Sequence, residues 1–316
     1  MRVIITDCDH DNIDMERKVF TDAGLSFKLK NAKTEDEIIE QCKGAEIFIV
    51  QYGKITEKVM EALPELKYIV RYGVGVDTID IKAATKHGIQ VGNVPDYGMN
   101  EVADQALALT LALTRKIITM NKYTKTSKWD YTNAIPVHRI STQTVGVVGL
   151  GRIGMNYAKK AASLGFKVIG CDPKFVQTVD NNYVTLVTFE ELLEKSDIIS
   201  IHCPADGNRD IFNKEVFKKM KKSASIINTA RGGIVSEKDL DEALKSGEIS
   251  GAALDCMSIE PMRSDSEIFK NENLIVTPHM AWYSEESALE LKRKVAEESV
   301  RFAKGEPIHY PINNLK

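Results

Sequence analysis

The stretch Val145-Gly146-Val147-Val148-Gly149-Leu150-Gly151-Arg152-Ile153-Gly154 decides the fold of this 316-residue chain. An apolar strand runs directly into G-x-G-x-x-G, and residues 152–164 that follow carry an apolar helical face. Each glycine has its own duty. Gly149 permits the tight turn, Gly151 lets backbone approach a pyrophosphate, and Gly154 lets the helix pack on the strand. Arg152 and Ile153 then lie in the first helical turn, where free N–H groups and the helix dipole favour phosphate. The next strand, residues 167–171, leads to Asp172, about 20 residues beyond the glycines, which is the spacing of a ribose-binding acid. Such an acid accepts from both ribose hydroxyls and repels a 2′-phosphate, favouring NAD over NADP; Lys174 is a mild counterweight. Alone, the glycine motif is a weak signal. Strand, helix and acid together read as a dinucleotide-binding α/β sheet.

Outward from this block, short apolar runs alternate with amphipathic stretches. Residues 3–5, 47–50, 68–70 and 89–91 read as buried strands, and residues 35–42, 56–63 and 79–87 as helices between them. That alternation implies a parallel sheet with helices on both faces. A closed barrel alternates in the same way, and the glycine fingerprint decides for the open form. Further strands are expected at residues 197–201, 225–228 and 251–254, with a helix at residues 237–246. Ser236-x-x-Asp239 resembles a capping box at its start, and Gly247 marks its stop. Residues 100–126 contain neither proline nor glycine and predict one long helix capped by Asn100. Residues 129–142 read as irregular. Pro95 and Pro278 punctuate the chain where two domains would exchange. The expected fold class is α/β, with two doubly wound, Rossmann- or flavodoxin-like parallel-sheet domains. Residues 1–98 form the first and residues 99–283 the dinucleotide-binding domain. Residues 284–316 carry a last helix back to the first domain, which is therefore discontinuous.

Composition supports this and excludes other classes. At roughly 150 residues per domain, the length suggests two domains. Apolar residues make up 43% and charged residues 28%, an ordinary globular balance. The 42 Lys and Arg against 45 Asp and Glu leave a net charge of −3, so no nucleic-acid partner is expected. No apolar run approaches the ~20 residues of a membrane span. Residues 106–113 come nearest and read as buried helix. Asp7 cuts the N-terminal apolar run short of a secretory signal. Cys8, Cys42, Cys171, Cys203 and Cys256 are odd in number, scattered and without C-x-x-C spacing. They argue against a disulfide framework, for a reducing cytoplasm, and give no reason to expect a metal.

Three later fragments carry chemistry: Ile227-Asn228-Thr229-Ala230-Arg231-Gly232-Gly233, Ala253-Leu254-Asp255-Cys256-Met257-Ser258-Ile259-Glu260-Pro261, and Val276-Thr277-Pro278-His279. Each places a polar residue just after an apolar strand, and open α/β sheets bind ligands outside the carboxyl ends of their strands. Arg231, Glu260 and His279 can therefore converge beside a nicotinamide. Histidine is the usual donor to a developing alkoxide. A neighbouring carboxylate holds the imidazole and favours its charged form. Arginine's planar fork clamps a carboxylate. Taken singly, the arginine reads as an ion-pair partner and the histidine as structural. Their order after a dinucleotide fingerprint points to an active site.

With these residues in view, the chain resembles the D-isomer-specific 2-hydroxyacid dehydrogenases over nearly its whole length. The resemblance implies reversible, NAD-dependent reduction of a 2-oxo acid to a D-2-hydroxy acid. Arg231 would orient substrate, His279 would be the acid/base, and Glu260 would tune His279. Tyr72-Gly73-Val74-Gly75-Val76-Asp77 looks like the family's substrate-domain loop. Its N–H groups at Val74 and Gly75 would take the substrate carboxylate, with Tyr72 beside them. By the same resemblance, Asp255 would hold the nicotinamide carboxamide, Thr229 and Ala230 would line the ring, and His202-Cys203-Pro204 would border the adenosine half. Cys203 and Cys256, although near the site, read as small apolar positions. A homodimer would form through the long helix and the 129–142 arm. Ala281-Trp282-Tyr283-Ser284-Glu285-Glu286-Ser287 is similar to the C-terminal-binding-protein branch, in which Trp282 would wall the substrate pocket. The family's formate-oxidising members have Gln where this chain has Glu260, so formate is disfavoured. Two other readings stay open. One is an NAD(H)-sensing, corepressor-like binding protein with little turnover. The other is a short-form D-3-phosphoglycerate dehydrogenase, since no regulatory domain is expected after the last helix.

Overall fold

The computed structural model describes residues 1–176, 178 and 181–315. The chain divides into two compact units, Met1–Gly98 with Ser284–Lys316, and Met99–Tyr283.

Unit 1 alternates strand and helix: β1 (Arg2–Ile5), α1 (Asp14–Asp22), β2 (Ser26–Leu29), α2 (Glu35–Gln41), β3 (Ile47–Val50), α3 (Glu57–Ala62), β4 (Tyr68–Arg71), α4 (Ile81–Lys86) and β5 (Gln90–Gly92). The strands form one parallel sheet in the order β2-β1-β3-β4-β5, with Val3 paired to both Phe27 and Ile47. The central strand Ile-Phe-Ile-Val is fully buried, as a strand covered on both faces must be. Helix starts are set locally. Thr34 and Glu37 form a reciprocal capping box on α2, and Asp80 caps α4 through the Ala83 N–H. The last helix, α11 (Glu285–Ala303), is capped by Ser284 and lies against α1. The segment beyond it covers β5. Asn313 accepts from the Val91 N–H at 2.7 Å and donates to the Ile89 carbonyl at 2.9 Å.

Unit 2 opens with α5 (Met99–Thr114) and α6 (Ile117–Lys125). It continues as β6 (Thr144–Val148), α7 (Arg152–Ser163), β7 (Lys167–Cys171), β8 (Thr185–Leu186), α8 (Phe189–Lys195), β9 (Ile198–Ile201), α9 (Lys214–Phe217), β10 (Ser225–Asn228), α10 (Glu237–Ser246), β11 (Gly251–Leu254) and β12 (Leu274–Val276). The seven strands are parallel, ordered β12-β11-β10-β9-β6-β7-β8. The order reverses between β6 and β9, so the switch point of a doubly wound sheet falls on the glycine loop after β6. One apolar core joins α8 and α10 to the sheet, and a second joins α5 and α7 to it. No helix among the described residues is long and apolar enough to cross a membrane.

Several expectations need correction. The long helix is two helices, because Lys116 takes a left-handed conformation at φ 51°. Just before this break, the Thr110 and Thr114 hydroxyls bond back to the Ala106 and Thr110 carbonyls, and β-branched Ile117-Ile118 follow it. No glycine marks the turn. Asn100 lies inside α5, not at its cap, and its side chain accepts from Asn156 at 2.7 Å. The 129–142 arm is not wholly irregular, since it holds 3₁₀ turns at Tyr131–Ala134 and Ile140–Thr142. Ser236 caps α10 through the Asp239 N–H, but the Asp239 carboxylate accepts from the Lys214 N–H instead of closing the box.

Asn313→Ala would leave the Val91 N–H and the Ile89 carbonyl without their side-chain partner. Urea unfolding is expected to show unit 1 destabilised by about 2–3 kcal/mol.

Candidate active site

The glycine loop is built by close backbone approach. Gly149 stands at φ 93°, and a Cβ there would lie 2.8 Å from the His202 carbonyl and the Cys203 N–H. A Cβ on Gly154 would run into the Gly149 carbonyl. Gly151 faces open space and, as the N-cap of α7, supplies no side chain to the first helical turn. Arg152 and Ile153 therefore present their N–H groups at an uncapped helix start. Asp172 secures this loop from the neighbouring strand: Oδ2 accepts from Leu150 N–H and Oδ1 from Lys174 N–H, both at 2.8 Å. His202 follows β9, with Nε2 on Ser200 Oγ at 2.9 Å and its ring against Tyr157. Burial holds this imidazole neutral, pushing its pKa down to about 3, and Nδ1 has no partner among the described residues. Burial also pushes the Cys203 thiol up to about 11, so it is no thiolate nucleophile. Pro204 follows it, and its carbonyl accepts from Asn208.

The expected catalytic residues come from three adjacent strand ends of unit 2. Asn228, the last residue of β10, shapes the first loop: its amide donates to the Arg231 carbonyl at 2.8 Å and accepts from Ala230 N–H at 3.0 Å. Gly232 admits the next loop, because a Cβ there would strike the Met257 carbonyl. Glu260 receives the Met257 N–H on Oε1 at 2.8 Å and holds His279 Nδ1 on Oε2 at 2.6 Å. Burial pushes the Glu260 carboxyl up. The His279 bond, the Met257 N–H and the Arg231 charge outweigh it and hold the group below the usual carboxylate range. His279 Nε2 makes no hydrogen bond among the described residues. The His279 backbone is left-handed at φ 53°, a strained state found in turns and functional sites.

That state is braced by Asp255, which is 1% exposed at the end of β11. Its carboxylate accepts from Thr277 Oγ1 at 2.5 Å, Met280 N–H at 3.1 Å and Ala281 N–H at 2.9 Å. Its carbonyl receives His279 N–H at 2.7 Å. Burial raises its pKa against the pull of these donors. Asp255 thus has a loop-holding part that sequence reasoning missed, as it missed Asn228 and Thr277. The recognisable signal was an Asn or Asp closing a strand before a tight loop. Thr229 is buried with Oγ1 unpartnered among the described residues, and Ala230 beside it is half-buried. The uncapped helix start, the open face at Gly151 and the two orphaned atoms, Thr229 Oγ1 and His202 Nδ1, fit a dinucleotide.

In unit 1 the Tyr72–Asp77 loop follows β4. Gly73 is at φ 121°, its carbonyl accepts from Val94 N–H, and the Val74 carbonyl accepts from Asn93 at 2.6 Å. Val74 is exposed and Gly75 half-exposed. Tyr72 departs from the expectation of a substrate contact. It is buried, and its hydroxyl donates to Glu16 at 2.7 Å, so it anchors the loop from beneath. Trp282, half-buried at the end of unit 2, meets Tyr283 edge-on at 5.6 Å. The five cysteines are unpaired.

Known proteins match this architecture. Residues 107–281 match the family described as D-isomer specific 2-hydroxyacid dehydrogenase, NAD binding domain. The chain is 36% identical to the D-3-phosphoglycerate dehydrogenase of Archaeoglobus fulgidus, covering 99% of this chain but 59% of that one. It thus spans little more than half the length of such relatives. It is 35% identical to the glyoxylate reductase of Korarchaeum cryptofilum, covering 85% of this chain and 83% of that one. The D-lactate dehydrogenase of Aquifex aeolicus, solved with NAD and lactic acid, superposes with a TM-score of 0.91. It is 27% identical over 99% of this chain and all of that one. A matching family model across the glycine loop and the strands that lead to Arg231, Glu260 and His279, with likeness in sequence and shape over 99% of the chain, places this chain in the D-isomer-specific 2-hydroxyacid dehydrogenase family.

Proposed function

We propose that the chain interconverts 2-oxo acids and D-2-hydroxy acids with NAD(H). The observation that carries this reading is the Glu260–His279 pair, bonded through Nδ1 at 2.6 Å with Nε2 unengaged, on the same sheet edge as the glycine loop. The loop from Gly149 to Gly154, with the Arg152 and Ile153 amides, holds the pyrophosphate. Asp172 takes the adenosine ribose, and His202, Cys203 and Pro204 border the adenosine half. Thr229, Ala230 and Asp255 face the nicotinamide. NADH, when bound, supplies the hydride for the substrate carbonyl carbon.

The chain's own residues do the rest. Arg231 pairs with the substrate carboxylate and polarises the carbonyl. The Val74 and Gly75 amides bind the carboxylate as a backbone nest, and Trp282 walls the substrate pocket. His279 donates a proton from Nε2 to the oxygen as negative charge develops there, and takes one back in the oxidative direction. Glu260, ionised through neutral pH, holds Nδ1 and stabilises the charged ring in the transition state.

The partner is a second copy of the chain. Ile117 and Ile118 on α6 are exposed, as are Trp129 at 89%, Tyr131 at 78% and Ile135 on the arm that follows. So much large apolar surface on adjoining segments is characteristic of an interface.

Three measurements test the reading. The first is a pH profile of kcat/KM for 2-oxo acid reduction. Glu260→Gln keeps shape and removes charge, and is expected to shift the profile to lower pH, with losses growing towards neutrality. An unmoved profile would make Glu260 purely structural. His279→Ala is expected to cost about 10²–10⁴-fold at every pH. In the wild type the bridge persists above the ordinary carboxylate range and is lost as pH falls through the lowered Glu260 value.

The second compares cofactors. NADH is expected to outperform NADPH because the 2′-phosphate would meet the Asp172 carboxylate. Asp172→Ala should narrow the gap, and equal efficiency with both cofactors in the wild type would refute the role. The third is light scattering at micromolar concentration, where twice the 35.2-kDa chain mass is expected. A monomer would contradict the proposed interface.

A further inference from the structure

The segment after β5 sets the direction of the amides in the loop after β4. These two strands are neighbours in the unit 1 sheet, so the segments that leave them run side by side. The Gly73 carbonyl accepts from the Val94 N–H at 3.1 Å, and the Val74 carbonyl accepts from the Asn93 side-chain amide at 2.6 Å. The peptide bonds Gly73-Val74 and Val74-Gly75 are both trans. In a planar trans peptide the C=O and the N–H point in opposite directions. Holding the two carbonyls on Asn93 and Val94 therefore turns the Val74 and Gly75 N–H groups away from that segment. Neither N–H makes a hydrogen bond among the described residues, and Val74 is exposed. Two successive amides that face one way without a partner form an anion-binding concavity.

The two ties differ in kind. Val94 contributes backbone, which any residue but proline supplies. Asn93 contributes a side chain, and this side chain fixes the plane of the Val74-Gly75 peptide. Asn93 is itself buried and held from behind. Its N–H donates to the Tyr310 carbonyl at 3.4 Å, and the Tyr310 hydroxyl donates to Asp96 at 2.5 Å. Gly92 admits this C-terminal segment, because a Cβ there would lie 3.3 Å from the Tyr310 carbonyl. The start of the loop has a separate anchor in the bond from Tyr72 to Glu16. Between the two anchors Gly73 turns the chain at φ 121°, with the Arg71 guanidinium packed where a Cβ would stand. The direction of the Gly75 N–H thus depends on Asn93.

We propose that Asn93 is a positioning residue for the substrate carboxylate, acting through the Val74-Gly75 peptide and not on the reacting atoms. This deepens the dehydrogenase reading above and rests on it, because that reading makes the carboxylate the anion these amides receive. Without the Asn93 amide, the peptide is free to turn. Its carbonyl oxygen can then face the anion in place of the N–H, and an attraction becomes a repulsion.

The test is NADH oxidation by the purified chain with glyoxylate and with pyruvate, and its inhibition by oxamate, which also carries a carboxylate. Asn93→Ala is expected to raise KM for both 2-oxo acids and the oxamate inhibition constant together, by about tenfold, as the loss of one hydrogen bond to a charged group does. kcat is expected to stay nearly constant, because the binding lost is common to ground and transition states. NADH affinity, read by fluorescence, should not change. Asn93→Asp keeps the shape but has no N–H to donate, and is expected to be at least as impaired; it carries the comparison if Asn93→Ala does not fold. An unmoved KM and oxamate constant overturn the role of Asn93 and leave the dehydrogenase reading intact. So does a loss spread over kcat and NADH affinity, which marks a structural defect, and so does a wild-type KM in Asn93→Asp, which makes shape decisive instead of the donor. Failure of the wild type to reduce any 2-oxo acid overturns the dehydrogenase reading itself, and this inference with it.

Discussion

The geometry of the candidate site in unit 2 hangs on one buried carboxylate. Asp255 sits at the end of β11 with its two oxygens shared among Thr277, Met280 and Ala281. Taking a carboxylate out of water is costly, and several donors converging on it offset that cost. What the fold obtains is a fixed path for the chain after β12. Along that path His279 takes up a conformation that few residues tolerate, with its N–H on the Asp255 carbonyl and its ring against Glu260. Without the brace, the segment Thr277–Ala281 would have no reason to hold a left-handed residue, and the imidazole would lose its fixed distance from Glu260.

The same device recurs at other strand ends. Asp172 follows β7 and binds an amide of the loop after β6. Asp7 follows β1 and binds three amides of the loop after β3. In each case an aspartate leaving one strand ties down the loop leaving its neighbour in the sheet. Parallel strands end side by side at the carboxyl edge of each sheet, and the chain leaves them as loops. Short acids reaching sideways supply the stiffness, by charge-assisted bonds that are stronger than neutral ones.

Much of this was legible in the sequence, for identifiable reasons. The doubly wound sheets show in fully apolar runs such as Ile47–Val50, because a strand covered on both faces has no polar side. The glycine loop shows because steric exclusion at Gly149 and Gly154 admits no other residue. Elements were missed where burial is slight. Strand β2 is mostly exposed, and α1 buries only Glu16 and Phe20, so neither leaves a periodic apolar trace. The break at Lys116 was hidden because a lysine, not a glycine, takes the left-handed turn. In the site, residue types and order pointed to Arg231, Glu260 and His279. The bracing bonds of Asp255 and the anchoring of Tyr72 on Glu16 depend on long-range contacts that no local pattern encodes.

The discontinuity of unit 1 bears on how the protein is made. Its sheet is encoded before unit 2, yet α11, which covers α1, and Asn313, which closes the edge at β5, are encoded after it. Unit 2 is a single uninterrupted stretch, so it can complete its fold as soon as it clears the ribosome. At translation rates of roughly 5–20 residues per second, the nascent first ninety-odd residues wait on the order of ten seconds for their closing helix. During that interval α1 lacks the helix that packs against it, and the margin of β5 lacks the bonds that Asn313 supplies.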